Sequence, residues 1–166
     1  MSFGSNATAV PPPFYYSAHL LILNFLIAYS FSSTRIPKML AGLDHNINPR
    51  EDLAVRGTKA VEKGKITQTQ LDGLKRLQAA HDNSIEHFPL FASAIVMAMF
   101  AGVSADSVNS LGLLYSLLRI AYIVAYWKGS SLKISWFRSV VYWAGNISCL
   151  RLIWLAGVMV NSSKKS

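Results

Sequence analysis

Four apolar stretches, at 14–33, 78–102, 108–127 and 136–160, punctuate the sequence, and each is close to the roughly 20 residues that cross a hydrocarbon core as a helix. Inside a bilayer no water is available to backbone N–H and C=O groups, so such segments must be helices packed side by side. The expectation is an all-α integral membrane protein, a four-helix bundle with its spans at those positions. Residues 1–13, with Pro11, Pro12 and Pro13, are expected to be an extended, mobile arm, residues 34–77 the one sizeable polar connection, and 161–166 a short tail. Composition agrees, since 52% of the residues are hydrophobic and 14% charged, against about 25% charged in soluble domains. The first apolar run has no Lys or Arg before it and no small-residue cleavage site after it, so it reads as a retained anchor.

The formal charge is +8, but the cations are not interleaved with aromatics on one polar surface, which argues against nucleic acid as a partner. Nine of the sixteen Lys and Arg residues lie in the 34–77 connection, and more follow the third span at Lys128 and Lys133. The turn after the second span has none. This asymmetry predicts that both cation-rich loops face the cytosol and both termini the other side. Asn6 and Asn161 open formal glycosylation triplets there, a pattern too short to carry weight. The lone Cys149 sits among apolar residues, so it offers no intrachain disulfide and no cysteine-ligated metal, and is expected to be a small buried side chain. Thr67 with Gln70 three residues on is a capping-box start, and Leu71, Leu74 and Leu77 continue at helical spacing, so the second membrane helix is expected to begin in water.

Several residues do not belong in lipid. Glu86, Arg119 and Arg151 fall within spans and Arg138 at the start of the last one, each costing about 2.5–3.5 kcal/mol at bilayer depth. One account is internal pairing, Glu86 with Arg119, that holds helices in register and does nothing else. Spacing favours a site instead. Asn83 and Glu86, at i and i+3, are expected on one face of the second span; Tyr115, Arg119, Tyr122 and Tyr126 stripe the third, and Arg138 and Tyr142 open the fourth. Arginines suit carboxylates, Glu86 an ammonium, and phenols amide groups, so a small anionic ligand with an amine fits. His81 and His87 point to roughly opposed helix faces and make poor joint metal ligands, so no metal is expected.

The segment "RLQAAHDNSIEHFPLF" resembles the second-helix signature of the membrane-associated proteins in eicosanoid and glutathione metabolism, the MAPEG family. "NPRED" at 48–52, "RIAYIVAY" at 119–126 and "LKISWFRSVVYWAG" ending at Gly145 resemble further family motifs, and the likeness covers about residues 48–157. It implies a homotrimer in the endoplasmic reticulum or another internal membrane, with glutathione as cofactor. It also implies that Asn83 and Glu86, with His81 of the same motif, contact glutathione; that Arg119, Tyr122 and Tyr126 line the pocket; and that Arg138, Ser139 and Tyr142 approach the sulfur. Arg35 corresponds to a first-helix arginine. The family commonly has an arginine where this chain has Ala79, and Arg76, one turn earlier, is the candidate substitute.

The activity this implies is a glutathione-dependent transferase or peroxidase acting on a lipophilic electrophile in the bilayer, with the thiolate stabilised by Arg138. The alternative within the family is a non-catalytic lipid-binding adaptor, which the loss of a cation at position 79 favours. A purely structural membrane protein would have no use for Arg138 and Tyr142 at the membrane edge.

Overall fold

A computed structural model describes residues 14–129 and 131–163, so the arm at 1–13, the Asn6 triplet and Lys164 to Ser166 lie outside the described residues. Among the described residues there are six α-helices: α1 (Ser17–Leu26), α2 (Arg35–Leu40), α3 (Gly57–Glu62), α4 (Gln68–Phe100), α5 (Ala105–Lys128) and α6 (Leu132–Ser163). Two wider π-helical turns, Ile27–Phe31 and Asp52–Arg56, lead into α2 and α3. No strand occurs among the described residues. Among the described residues, three segments are long and apolar enough to cross a membrane: Ser17–Leu40, Ala105–Lys128 and Leu132–Ser163. α4 has the length, about 50 Å at 1.5 Å per residue, but His81, Asp82, Asn83 and Glu86 interrupt its apolar character, and it is not one of the three.

Local chemistry accounts for the helix ends. The Thr67 hydroxyl accepts from the Gln70 N–H, and the Gln70 side chain accepts from the Thr67 N–H, the reciprocal cap that the sequence predicts. Ser104 caps α5 by accepting from the Ser107 N–H. Pro37 falls in the first turn of α2, where its missing N–H breaks no helical bond.

α4, α5 and α6 pack on one another, and α1 crosses α4 and α5. Their common core contains Phe91, Ile95, Val108, Tyr115, Leu152 and the free, fully buried Cys149. Tyr115 stacks on Phe91 at 4.1 Å between ring centroids, so this member of the tyrosine stripe is a packing residue. Gly112 lets α1 come close, since a Cβ there would lie 2.6 Å from Leu20 Cδ1. Beside it the buried Asn24 amide donates to Ser116 Oγ at 2.7 Å, a polar tie between two apolar helices.

The 34–77 connection is more than a linker. Leu43, Leu53, Ala60, Ile66, Leu71 and Leu74 form a second small core under it. A buried ion pair, Lys38 Nζ to Asp52 Oδ2 at 2.9 Å, clamps α2 to the following turn, and the same ammonium donates to Pro49 O at 3.4 Å. This connection, the first turns of α4 and the end of α5 meet at one end of the protein, around a cleft walled by Pro37, Lys65, Gln70 and Trp127. A cysteine placed at Thr58 is therefore expected to react with an impermeant thiol reagent on the cytosolic side, and one at Asn161 to be shielded from it. The reverse labelling pattern inverts the topology.

Candidate functional site

Two clefts flank the first half of α4. The larger, about 660 Å³, lies between α4, α2 and the 44–53 segment; its walls include Arg35, Lys38, Arg50, His81, Asp82 and Glu86. The smaller, about 230 Å³, lies between α4, α5 and α6; its walls include Asn83, Tyr122, Tyr126, Arg138, Ser139 and Tyr142.

Asn83 and Glu86 were expected on one face, and the structure separates them. Positions i and i+3 differ by about 60° around a helix, and the edge of α4 falls between them, so Asn83 turns to the smaller cleft and Glu86 to the larger. The ion pair of Glu86 with Arg119 is absent as well. Glu86 is exposed, and neither ion pair among the described residues involves it. Arg119 instead faces the other side of α4, where its Nη2 donates to Asn83 O at 3.1 Å, Ser84 Oγ at 3.3 Å and Asn83 Oδ1 at 3.4 Å. Its guanidinium carbon also lies 4.8 Å from the centre of the Tyr122 ring. Arg119 is thus a buried cation, 3% exposed, held by neutral acceptors and a ring face with no carboxylate beside it. It props the wall of the smaller cleft from behind rather than lining it.

Arg138 is the cation that does line the smaller cleft. Its guanidinium lies 4.1 Å over the Tyr126 ring and donates to Ser135 Oγ at 3.1 Å. The ring face and the hydroxyl hold the guanidinium while leaving it, among the described residues, without an acidic partner. Tyr122 donates to the Tyr126 hydroxyl at 3.4 Å, and the Tyr142 ring stands 6.1 Å from that of Tyr122. Ser139 opens to the same space, with its hydroxyl bonded to Ser135 O at 3.3 Å. A fixed guanidinium among three phenols and two serines can stabilise an anion such as a thiolate or alkoxide.

The larger cleft has a different character. Asp82 and Glu86 on α4 and Asp44 on the facing side give it acidic groups, and Arg35 and Arg50 give it cations, while Lys38 at its edge is paired with the buried Asp52. His81 lines it with its Nδ1 2.9 Å from Ser32 Oγ, which ties α4 to the end of the first span. Such a mixture matches a zwitterion with carboxylates and an ammonium. Arg76, the candidate substitute at the α4 start, lines neither cleft, because one turn earlier on the helix lies beyond both, and Ala79 is exposed with no cation in its place. Sequence reasoning missed Lys38, Arg50 and Asp52 as neighbours of the site. The "NPRED" motif contains the last two, but no periodicity signals that a loop folds back onto a helix.

The model of the MAPEG family matches residues 13–158 of this chain. No curated protein and no solved structure gives a match.

Proposed function

This chain belongs to the MAPEG family, and from that premise we propose that it is a glutathione-dependent membrane transferase or peroxidase acting on lipophilic electrophiles. The observation that carries the reading is Arg138: a guanidinium held over the Tyr126 ring, flanked by serine hydroxyls and phenols, with no acid among the described residues to neutralise it. A free thiol has a pKa of about 8.5, and a fixed cation beside it stabilises the thiolate at neutral pH. Arg138 supplies that cation, and Ser139 and Tyr142 offer hydroxyl donors. In a transferase the thiolate forms a C–S bond with the electrophile as the leaving group departs with its electron pair. In a peroxidase two glutathiones give the disulfide while a hydroperoxide becomes alcohol and water.

The peptide part of glutathione belongs in the larger cleft, with its ammonium at Glu86 and with His81 beside it. Because α4 stands between the two clefts of one chain, the reading includes a homotrimer in which the larger cleft of one copy meets the smaller cleft of the next. Substrate would then arrive sideways from the lipid of an internal membrane such as the endoplasmic reticulum. A non-catalytic lipid-binding adaptor is the second reading, favoured by the exposed Ala79.

Binding of glutathione to purified protein, followed by a conjugation assay with a generic electrophile, separates the two. Binding with turnover supports the enzyme, and absence of both supports the adaptor. Glu86→Gln refines the test. It removes the partner of the ammonium while the amide keeps the shape, so affinity is expected to fall about tenfold or more, the loss of one charge-assisted contact. The melting temperature should hardly change, because Glu86 is exposed and has no ion pair to lose. Unchanged affinity removes Glu86 from the site.

A further inference from the structure

We propose that Arg50 is a carboxylate-binding residue of the larger cleft, presented to glutathione by a loop that the buried Lys38–Asp52 pair holds in place; the proposal rests on the glutathione reading above. The cleft has two unlike walls. α4 brings Asp82 and Glu86, and the facing side brings Arg35 from α2, with Asp44 and Arg50 from the 44–53 segment. The two arginines are not equivalent. Arg35 is already engaged within its own wall, with Nε 3.8 Å from Asp44 Oδ2 and Nη2 donating to Asn46 Oδ1 at 3.4 Å. Arg50 makes no hydrogen bond or ion pair with any described residue. It is the guanidinium on that wall with all its donors available to a ligand.

An unengaged surface arginine usually sweeps a wide volume, and ordering it on a ligand costs entropy. The backbone around Arg50 removes part of that cost. The residue before it, Pro49, receives the Lys38 ammonium on its carbonyl, and Asp52, two residues after it, is fully buried in the ion pair with the same lysine. Leu53 next to that is anchored in the small core of the connection. The Glu51 N–H also donates to Asn48 O at 3.2 Å, closing a turn around Pro49 and Arg50. The root of the side chain is therefore fixed on both sides while its tip is free. A planar guanidinium so placed can grip a carboxylate with two parallel bonds, which an ammonium cannot do. Glutathione has two carboxylates and one ammonium, and a cleft with Glu86 on one wall and the unengaged Arg50 on the other sorts those charges.

The test measures the affinity of glutathione, and of its diethyl ester with both carboxylates capped, by calorimetry on the full chain in detergent or nanodiscs. Arg50→Gln is expected to weaken glutathione about tenfold, Arg50→Lys to weaken it less, and the diester to bind wild type and Arg50→Gln alike. Equal glutathione affinity in wild type and Arg50→Gln overturns the inference and leaves the glutathione reading intact. A parallel loss for glutathione and the diester also overturns it, since Arg50 would then act only on the shape of the loop. If Arg50→Gln instead lowers binding to vesicles containing anionic phospholipid and leaves glutathione untouched, Arg50 is a membrane anchor and the inference fails. Wild-type protein that binds no glutathione at all removes the inference and the reading beneath it together.

Discussion

Arg138→Ala is expected to lower glutathione-dependent turnover about 100-fold, the order seen when one preorganised donor to a developing anion is removed. The reason lies in what the residue touches. Arg138 has no carboxylate partner among the described residues, and the Tyr126 ring and Ser135 hydroxyl hold it facing the smaller cleft, so its charge is available to an anion. In the proposed site the contact would be made most strongly to the thiolate and the transition state, while Glu86 and the cations of the facing larger cleft would hold the peptide. Affinity should therefore change less than rate. Arg138→Lys keeps the charge but loses the planar fork and the ring stacking, and an intermediate rate is expected. The thiolate can be followed by its ultraviolet absorbance as pH is raised with glutathione bound. The alanine variant should need a higher pH to form it, since the cation that favours the anion is gone. If wild type and variant titrate and turn over alike, Arg138 is an interfacial anchor, and the proposed mechanism falls.

Asp52→Asn is expected to destabilise the protein by about 3–5 kcal/mol, the cost of leaving one member of a buried pair without its counter-charge. Lys38 and Asp52 are 7% and 0% exposed, 2.9 Å apart, and the other carboxylate oxygen, Oδ1, is buried without a hydrogen-bond partner. A carboxylate placed in that way depends on one ammonium. Against a typical total of about 5–15 kcal/mol for a domain, the loss is large. Replacing both residues, Lys38→Met with Asp52→Leu, removes both buried charges and is expected to restore most of the stability, because apolar packing often matches or exceeds a buried pair. Denaturant unfolding of the two variants in detergent checks this. A single variant as stable as wild type would show that water reaches the pair.

The sequence carried much of the architecture, for identifiable reasons. Long apolar runs can satisfy their backbone in a bilayer only as helices, so the helical fold and three of the four expected spans could be read from hydropathy, while α4 is not among the helices apolar enough to cross. Thr67 and Gln70 mark a helix start because capping is a matter of a few neighbouring residues. Cys149 could be placed in the core from its apolar surroundings. The motifs "DNSIE", "RIAYIVAY" and "FRSVVYW" carried the family likeness, and residues 13–158 match the family model.

Tertiary structure alone decided how those residues are shared between sites. A helical period tells which side chains are near neighbours on one rod, but an angle of about 60° between Asn83 and Glu86 becomes a separation only when α2 and the 44–53 segment stand on one side of α4, and α5 and α6 on the other. Arg119 could have met Glu86 on spacing alone. The packing of α5 turned it to Asn83, Ser84 and the Tyr122 ring instead. The fold of 34–77 was the least legible part, because Leu43, Leu53, Ala60 and Ile66 follow no regular period. What brings Lys38 onto Asp52 is long-range burial, which joins residues fourteen apart in sequence without any local signal. Sequence by itself determined the long helices of this chain and the side chains they carry; the short helices of the connection, and which groups face one another, were settled only when those helices packed.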